Sequence, residues 1–157
     1  MEVYRIQKDQ YRATILKGEG ARLYGGRWNA VGTPLVYTSS SMELALLEAT
    51  VHLDGTPPED LPPYILVTLN VPDANVHFLD VDRLPSGWSD YEGYPAAEMD
   101  ALLRAEFSRT NALAIAVPSV ILPKSKARNM LINPLHPTIG VVTITNIDPH
   151  RFDPRLP

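Results

Sequence analysis

Glu48 carries the sharpest chemical signal in the chain. Residues 40–53 read as the best helix, and Ser40 and Glu43 have the capping-box spacing, in which hydroxyl and carboxylate each satisfy a free backbone N–H. Capping explains Glu43 and leaves Glu48 unexplained. At ~100° per residue, Glu48 falls beside the apolar stripe of Leu44, Leu47 and Val51 rather than opposite it. A carboxylate at the edge of a buried face costs free energy unless it is paired. It either meets an arginine for structural reasons or works in a cleft. His52, one turn later on the same side, is a candidate hydrogen-bond partner.

Upstream, Gly18-Glu19-Gly20-Ala21 and Gly25-Gly26 make a flexible backbone. A dinucleotide fingerprint needs a third glycine at the right spacing, and position 23 is Leu. The Gly-Lys-Ser/Thr of a phosphate loop is also absent. Glycines beside Arg22 and Arg27 still let N–H groups and guanidinium forks approach phosphate oxygens together. The alternative is a glycine-rich surface loop. Arg27, in Gly-Gly-Arg-Trp-Asn, either grips a phosphate bidentately or stacks on Trp28 or pairs with a surface carboxylate. Tyr37 ends a strand that runs into a helix N-terminus, a good place for a ligand. It offers a flat face and one polar tip, or it is a core tyrosine with its hydroxyl satisfied. Ser119 after Pro118, and Asn133 before Pro134, suit turns when taken alone. His52, His77, His136 and His150 show no metal-ligand spacing, and Asp80 with Asp82 reads as a solvated strand end.

The elements that must position these residues follow from patterning. Residues 2–6 read as a first strand, 17–29 as a loop, and 35–38 as a short strand opened by Pro34. Residues 64–71 are β-rich and mostly apolar, hence a buried strand, and 76–79 suggest another. Residues 95–109 form a second helix with Pro95 near its start and Met99, Leu102, Leu103 and Phe107 inward. Residues 113–117 and 120–122 are strand-like, 129–137 a polar Pro-bounded loop, and 139–147 a last strand. Strands outnumber helices and mix with them irregularly. The class is α+β around a mixed or antiparallel sheet, not the βαβα alternation of a doubly wound fold.

Bulk properties narrow the function. The 157 residues, 45% of them hydrophobic, suit one domain with a real core. A net charge of −4 and a pI of about 5.5 lack the basic excess of a nucleic-acid binder. Six of the fourteen basic residues nevertheless fall in the first 27 positions, a bias suited to a small anionic ligand. With no cysteine, disulfides, thiolate metal sites and thiol nucleophiles are excluded. The N-terminus does not read as a signal peptide, and no apolar run approaches the length of a membrane span. A soluble, cytoplasmic protein is expected.

The motifs together resemble the RES domain, the toxin component of a bacterial toxin–antitoxin pair. The matching stretches are Gly18 to Ala21, Gly25 to Asn29 with Gly32, Val36-Tyr37-Thr38-Ser39, Leu44 to Glu48 with His52, Val117-Pro118-Ser119, and Asn129 to Pro137. They run in the family's order over nearly the whole chain, here 1–157 as a single domain. The resemblance implies a fold like that of the NAD-using ADP-ribosyltransferases. It implies a site of Glu48, Arg27 and Tyr37 as catalytic residues, with Ser119, Asn133 and Trp28 joining Arg27 and Tyr37 in holding the substrate. NAD+ is then consumed as substrate without a metal. Its nicotinamide–ribose bond breaks and ADP-ribose passes to water, phosphate or a host protein. The implied partner is a helix-turn-helix antitoxin covering the active site, with a homodimer inside the complex compatible with it. Neither direct nucleic-acid nor membrane binding is implied. The alternative is a non-catalytic module that binds a nucleotide or only the antitoxin.

Overall fold

Alternation of side chains decides which strands are buried on both faces. The computed structural model describes residues 1–157. Its strands are β1 (Glu2–Lys8), β2 (Val36–Ser39), β3 (Tyr64–Asn70), β4 (Val76–Phe78), β5 (Ala114–Pro118), β6 (Arg128–Ile132) and β7 (Thr143–His150). Its helices are α1 (Glu19–Tyr24), α2 (Met42–Thr50) and α3 (Ala96–Thr110), with short 3-10 turns between elements. Along β5 and β6, Ala114, Ala116, Met130 and Ile132 join one apolar cluster, while Ile115, Val117 and Leu131 join another. The first cluster centres on Val3, Val36, Val67 and Leu69. The second lies against α3 through Met99 and Leu103 and takes in Trp28. No helix is long and apolar enough to cross a membrane.

The seven strands form one sheet in the order β4-β5-β6-β2-β1-β3-β7, antiparallel except for the parallel β4–β5 pair. This is the expected α+β class with a mixed, mostly antiparallel sheet. One junction is weak. β1 pairs with β3 along seven residues, yet meets β2 only at Tyr4 and Ser39. Past Tyr4 the two strands part, and residues of both line a cavity.

Several local expectations are corrected. Residues 17–29 contain α1 and a bridge between Gly26 and Asn29, not only loop. Gly18 precedes the helix at φ 63°, and Gly25 follows it at φ 70°, left-handed geometry that glycine adopts without strain. The α2 cap is Ser41, whose hydroxyl accepts from Leu44 N–H, whereas Ser40 accepts from Arg128 N–H. Glu43 instead sits in the first turn, where its own N–H and the Ser41 side chain hold its carboxyl below the ordinary range. The predicted α2 stripe is also wrong. Leu44 and Ala45 are buried, while Leu47 and Val51 are exposed. Residues 128–132 form an interior strand instead of a loop, and residues 120–122 form bends instead of a strand. The last strand starts at Thr143, after a 3-10 turn.

Candidate active site

The parting of β1 from β2 leaves a cavity of about 550 Å³. Residues 4–8 form one lip, Tyr37, Thr38 and Ser39 the other, and α1 and α2 close the sides. The size falls within the range usual for ligand sites, roughly 300–1,000 Å³. No group of three or more His, Asp or Glu side chains is arranged to hold a metal ion.

Glu48 reaches this cavity because α2 turns Leu44 and Ala45 inward, and Glu48 lies one turn further on the same face. Its Oε1 accepts two hydrogen bonds, from Ser119 Oγ at 2.8 Å and from Asn129 Nδ2 at 2.5 Å. Both donors are set by strand register. Asn129 pairs with Val117 across β6 and β5, and Ser119 is the next residue on that face, just past the strand end. Ser119 Oγ also accepts from Ile121 N–H at 3.1 Å, which fixes the turn after β5. Ser39 Oγ donates to Asn129 Oδ1 at 3.0 Å, and so orients the carboxamide with its N–H toward the glutamate. Every hydrogen bond to the carboxylate falls on Oε1, and none is made to Oε2.

Tyr37 lies on the other lip. Its hydroxyl donates to Asn29 Oδ1 at 2.6 Å and accepts from Trp28 N–H at 3.2 Å. Burial raises its pKa well above the ordinary range, against a smaller opposing effect of the Trp28 N–H. The phenol is therefore neutral at physiological pH. Asn29 is itself buried, and its Nδ2 donates to the carbonyls of Ala21, Ala30 and Thr33. It ties the C-terminal turn of α1 to the tyrosine. Gly26 makes the close approach feasible, since a Cβ there would lie 2.7 Å from the Tyr37 hydroxyl.

The structure brings Glu48, Tyr37 and Ser119 together and leaves other expected residues elsewhere. Arg27 does not line the cavity. Its Nη1 donates to the carbonyls of Trp88 and Asp90, at 2.7 and 2.9 Å, and its guanidinium lies 4.1 Å over the Tyr94 ring. Nη1 of Arg27 is thus engaged by the carbonyls of Trp88 and Asp90, while its Nε and Nη2 make no hydrogen bond within the protein. Trp28 is only 3% exposed, packs against Trp88 and lines the second cleft rather than the Glu48 cavity. Asn133 lines a second cleft, where its Oδ1 accepts from Leu135 N–H in a turn. His52 lines the cavity but makes no hydrogen bond to Glu48, which takes a serine and an asparagine instead. Sequence reasoning missed Asn129 and Asn29. Asn129 lies in a stretch read as loop, and its available signal was its place at the head of the 129–137 stretch that resembles the family.

The RES domain family profile matches residues 2–153 of the chain. "Toxin Res" of Photorhabdus laumondii is 33% identical over 135 residues, covering 86% of this chain and 83% of the relative. "Prs ADP-ribosylating toxin" of Sphingobium sp. strain YBL2 is 37% identical over 161 aligned positions, covering 98% and 94%. Among solved structures, the M. tuberculosis MbcT-MbcA toxin–antitoxin complex contains a chain with TM-score 0.73 and 19% identity, covering 96% of this chain and 84% of that one. That likeness shows a shared fold.

Proposed function

The chain belongs to the RES domain family and is related to toxins of toxin–antitoxin systems, and from that footing we propose that it is an enzyme that consumes NAD+. In this reading residues 1–157 act as one RES-like domain. The C–N bond between ribose and nicotinamide breaks, and its electron pair leaves with neutral nicotinamide. ADP-ribose passes to an oxygen or nitrogen nucleophile, which loses its proton to solvent. A relative named as an ADP-ribosylating toxin favours a protein acceptor, with water and phosphate as the other acceptors.

The observation that carries the reading is the Glu48 carboxylate, held at the cavity wall by two donors on one oxygen. Bond cleavage of this type passes through an oxocarbenium-like state. A carboxylate fixed in advance stabilises that charge without reorganising at the moment of reaction. Its unengaged Oε2 is the atom available to the ribose. Tyr37 offers the flat nicotinamide ring a neutral aromatic face, and Ser119 acts by positioning Glu48. The leaving group departs neutral from a cationic ring, so strong general-acid help is not required.

Arg27 acts, in this reading, through residues 88–94, which it anchors close to Tyr37. The partner is an antitoxin of helix-turn-helix type that covers the cleft, in an assembly that accommodates a homodimer of the toxin. Incubation with NAD+, with water, phosphate or cell extract as acceptor, and mass spectrometry of the products tests the reading. Release of nicotinamide is expected. Persistence of NAD+ under all three conditions rejects it, and binding without cleavage leaves a non-catalytic module.

A further inference from the structure

The turn that holds Tyr37 is itself held from α3. Both partners of the Tyr37 hydroxyl, Trp28 N–H and Asn29 Oδ1, come from adjacent residues of that turn. Gly26 N–H donates to the Asn29 carbonyl, and the Asn29 carboxamide donates to the carbonyls of Ala21, Ala30 and Thr33. Those bonds shape the turn but tie it only to its own neighbours in sequence. Apart from Tyr37, one side chain from elsewhere in the chain bonds the turn's backbone. It is Asp100, 70 residues on, whose Oδ1 accepts from Ala30 N–H at 2.9 Å.

Asp100 is 4% exposed, and its neighbours on α3, Met99 and Leu103, pack into the same apolar cluster as Trp28. A carboxylate in such a place costs free energy unless its oxygens are satisfied. Its Oδ2 accepts from Arg104 Nε at 2.8 Å, an i,i+4 pair whose arginine is 63% exposed. Such a pair adds little and forms as well on a solvated face of a helix. It therefore does not account for the inward position of Asp100, whereas the bond to Ala30 does. Asp100 also lies close enough for its charge to act on Tyr37, as one of the smaller causes that add to burial in raising the phenol's pKa.

We propose that Asp100 is the positioning residue of Tyr37: it pins the Trp28–Asn29 turn to α3 and so fixes where the phenol stands in the Glu48 cavity. Asp100 lines the second cleft and not that cavity, so it acts through the turn and touches no substrate. The packing of Tyr37 against nicotinamide rests on the function proposed above; the anchor itself does not.

The test compares Asp100→Ala, Asp100→Asn, Tyr37→Phe and the two double variants by NAD+ kinetics and by urea denaturation without ligand. Asp100→Ala should raise the KM for NAD+ by about 10-fold, because a displaced phenol is lost to substrate and transition state alike. A merely structural role lowers the amount of active enzyme, and so kcat, and leaves KM alone. Asp100→Asn keeps an oxygen for Ala30 N–H and should bring KM back to within about 3-fold of the wild type. In the Tyr37→Phe background Asp100→Ala should change KM by less than about 2-fold, since no hydroxyl is left to hold. In urea, the midpoint shift caused by Tyr37→Phe should shrink by about half or more in the Asp100→Ala background. Strictly additive midpoint shifts overturn the proposal. Turnover with a KM unaltered in Asp100→Ala also overturns it and keeps the enzyme. A wild type that leaves NAD+ intact removes the enzyme, and the urea cycle then decides the anchor alone: coupling keeps it, additivity overturns it. If Asp100→Ala does not fold, Asp100→Ser takes its place in both cycles.

Discussion

Glu48 and Ser119 are 71 residues apart in the chain and are joined by a 2.8 Å hydrogen bond to the same oxygen that accepts Asn129 Nδ2. One helix and two strands thus converge on Oε1, and the other carboxylate oxygen makes no hydrogen bond within the protein. Glu48→Gln keeps the volume and an amide oxygen for both donors while removing the charge. Nicotinamide release should fall by on the order of 10²–10⁴ with the melting temperature nearly unchanged. Near-full activity in this variant removes Glu48 from the site.

Ser119→Ala and Asn129→Ala each delete one of the two donors. Each should lower kcat by about 10- to 100-fold, less than loss of the charge itself, with a smaller change in KM. Combined with Glu48→Gln, neither should add its full effect, because both act through that carboxylate. A double-mutant cycle on kcat checks this, and strict additivity would mean that the two residues touch the substrate independently.

Legibility in the sequence tracked how far local rules were obeyed. Glu48 was readable because capping and periodicity leave a helical carboxylate without an explanation. Its helix was misread for the same reason: α2 buries Leu44 and faces the cavity with Ala45, Glu48 and Ala49, so Leu47 and Val51 are left in solvent. Hydrophobic periodicity points to a core face, and here the inward face is partly the wall of a site. Strand β6 was hidden by its polar ends. Arg128 and Asn129 open it and Asn133-Pro134 follow it, and only Met130, Leu131 and Ile132 read as strand interior. Asn129 is polar because it holds Glu48, a tertiary reason that no local propensity encodes. Arg27 and Trp28 were legible as a motif but not as to partner, since Trp88, Asp90 and Tyr94 lie in a stretch without pattern.

The glycines of the first motif differ in what they tolerate, and stability should sort them. Gly18 sits at φ 63°, and a Cβ there would lie 2.6 Å from the Leu35 backbone nitrogen. Backbone cannot yield as a flexible side chain does, so Gly18→Ala should destabilise by about 2 kcal/mol or more. Gly20 lies inside α1, and a methyl group added there would meet nothing within 4 Å. Gly20→Ala should stabilise by about 0.5–1 kcal/mol, the helical preference for alanine. Urea denaturation of the two variants gives the comparison, and equal effects would contradict the packing described around Gly18.

Glu106 should make the fold acid-sensitive without touching the site. It is fully buried on α3, and its carboxylate meets Arg109 at 2.7 Å, Arg83, and His77 at 3.2 Å. The Arg109 hydrogen bond holds its pKa below the ordinary 4.5, against burial, which raises it, and with help from the Arg83 and His77 charges. A carboxyl whose folded pKa is depressed stabilises fully above its unfolded value and loses that contribution as pH falls through the folded one. The melting temperature should therefore hold from neutral pH to about pH 5 and decline below it. Glu106→Gln should flatten the acid limb and cost on the order of 1–3 kcal/mol at pH 7, because the guanidinium of Arg109 loses its charged acceptor. Asp153→Asn, in the exposed pair with Arg155, serves as the control and should leave the acid limb in place. An acid limb in Glu106→Gln as steep as that of the wild type would assign the pH dependence to other carboxyls. Turnover of NAD+ by Glu106→Gln below its melting temperature should match the wild type, since Glu106 lines no part of the Glu48 cavity.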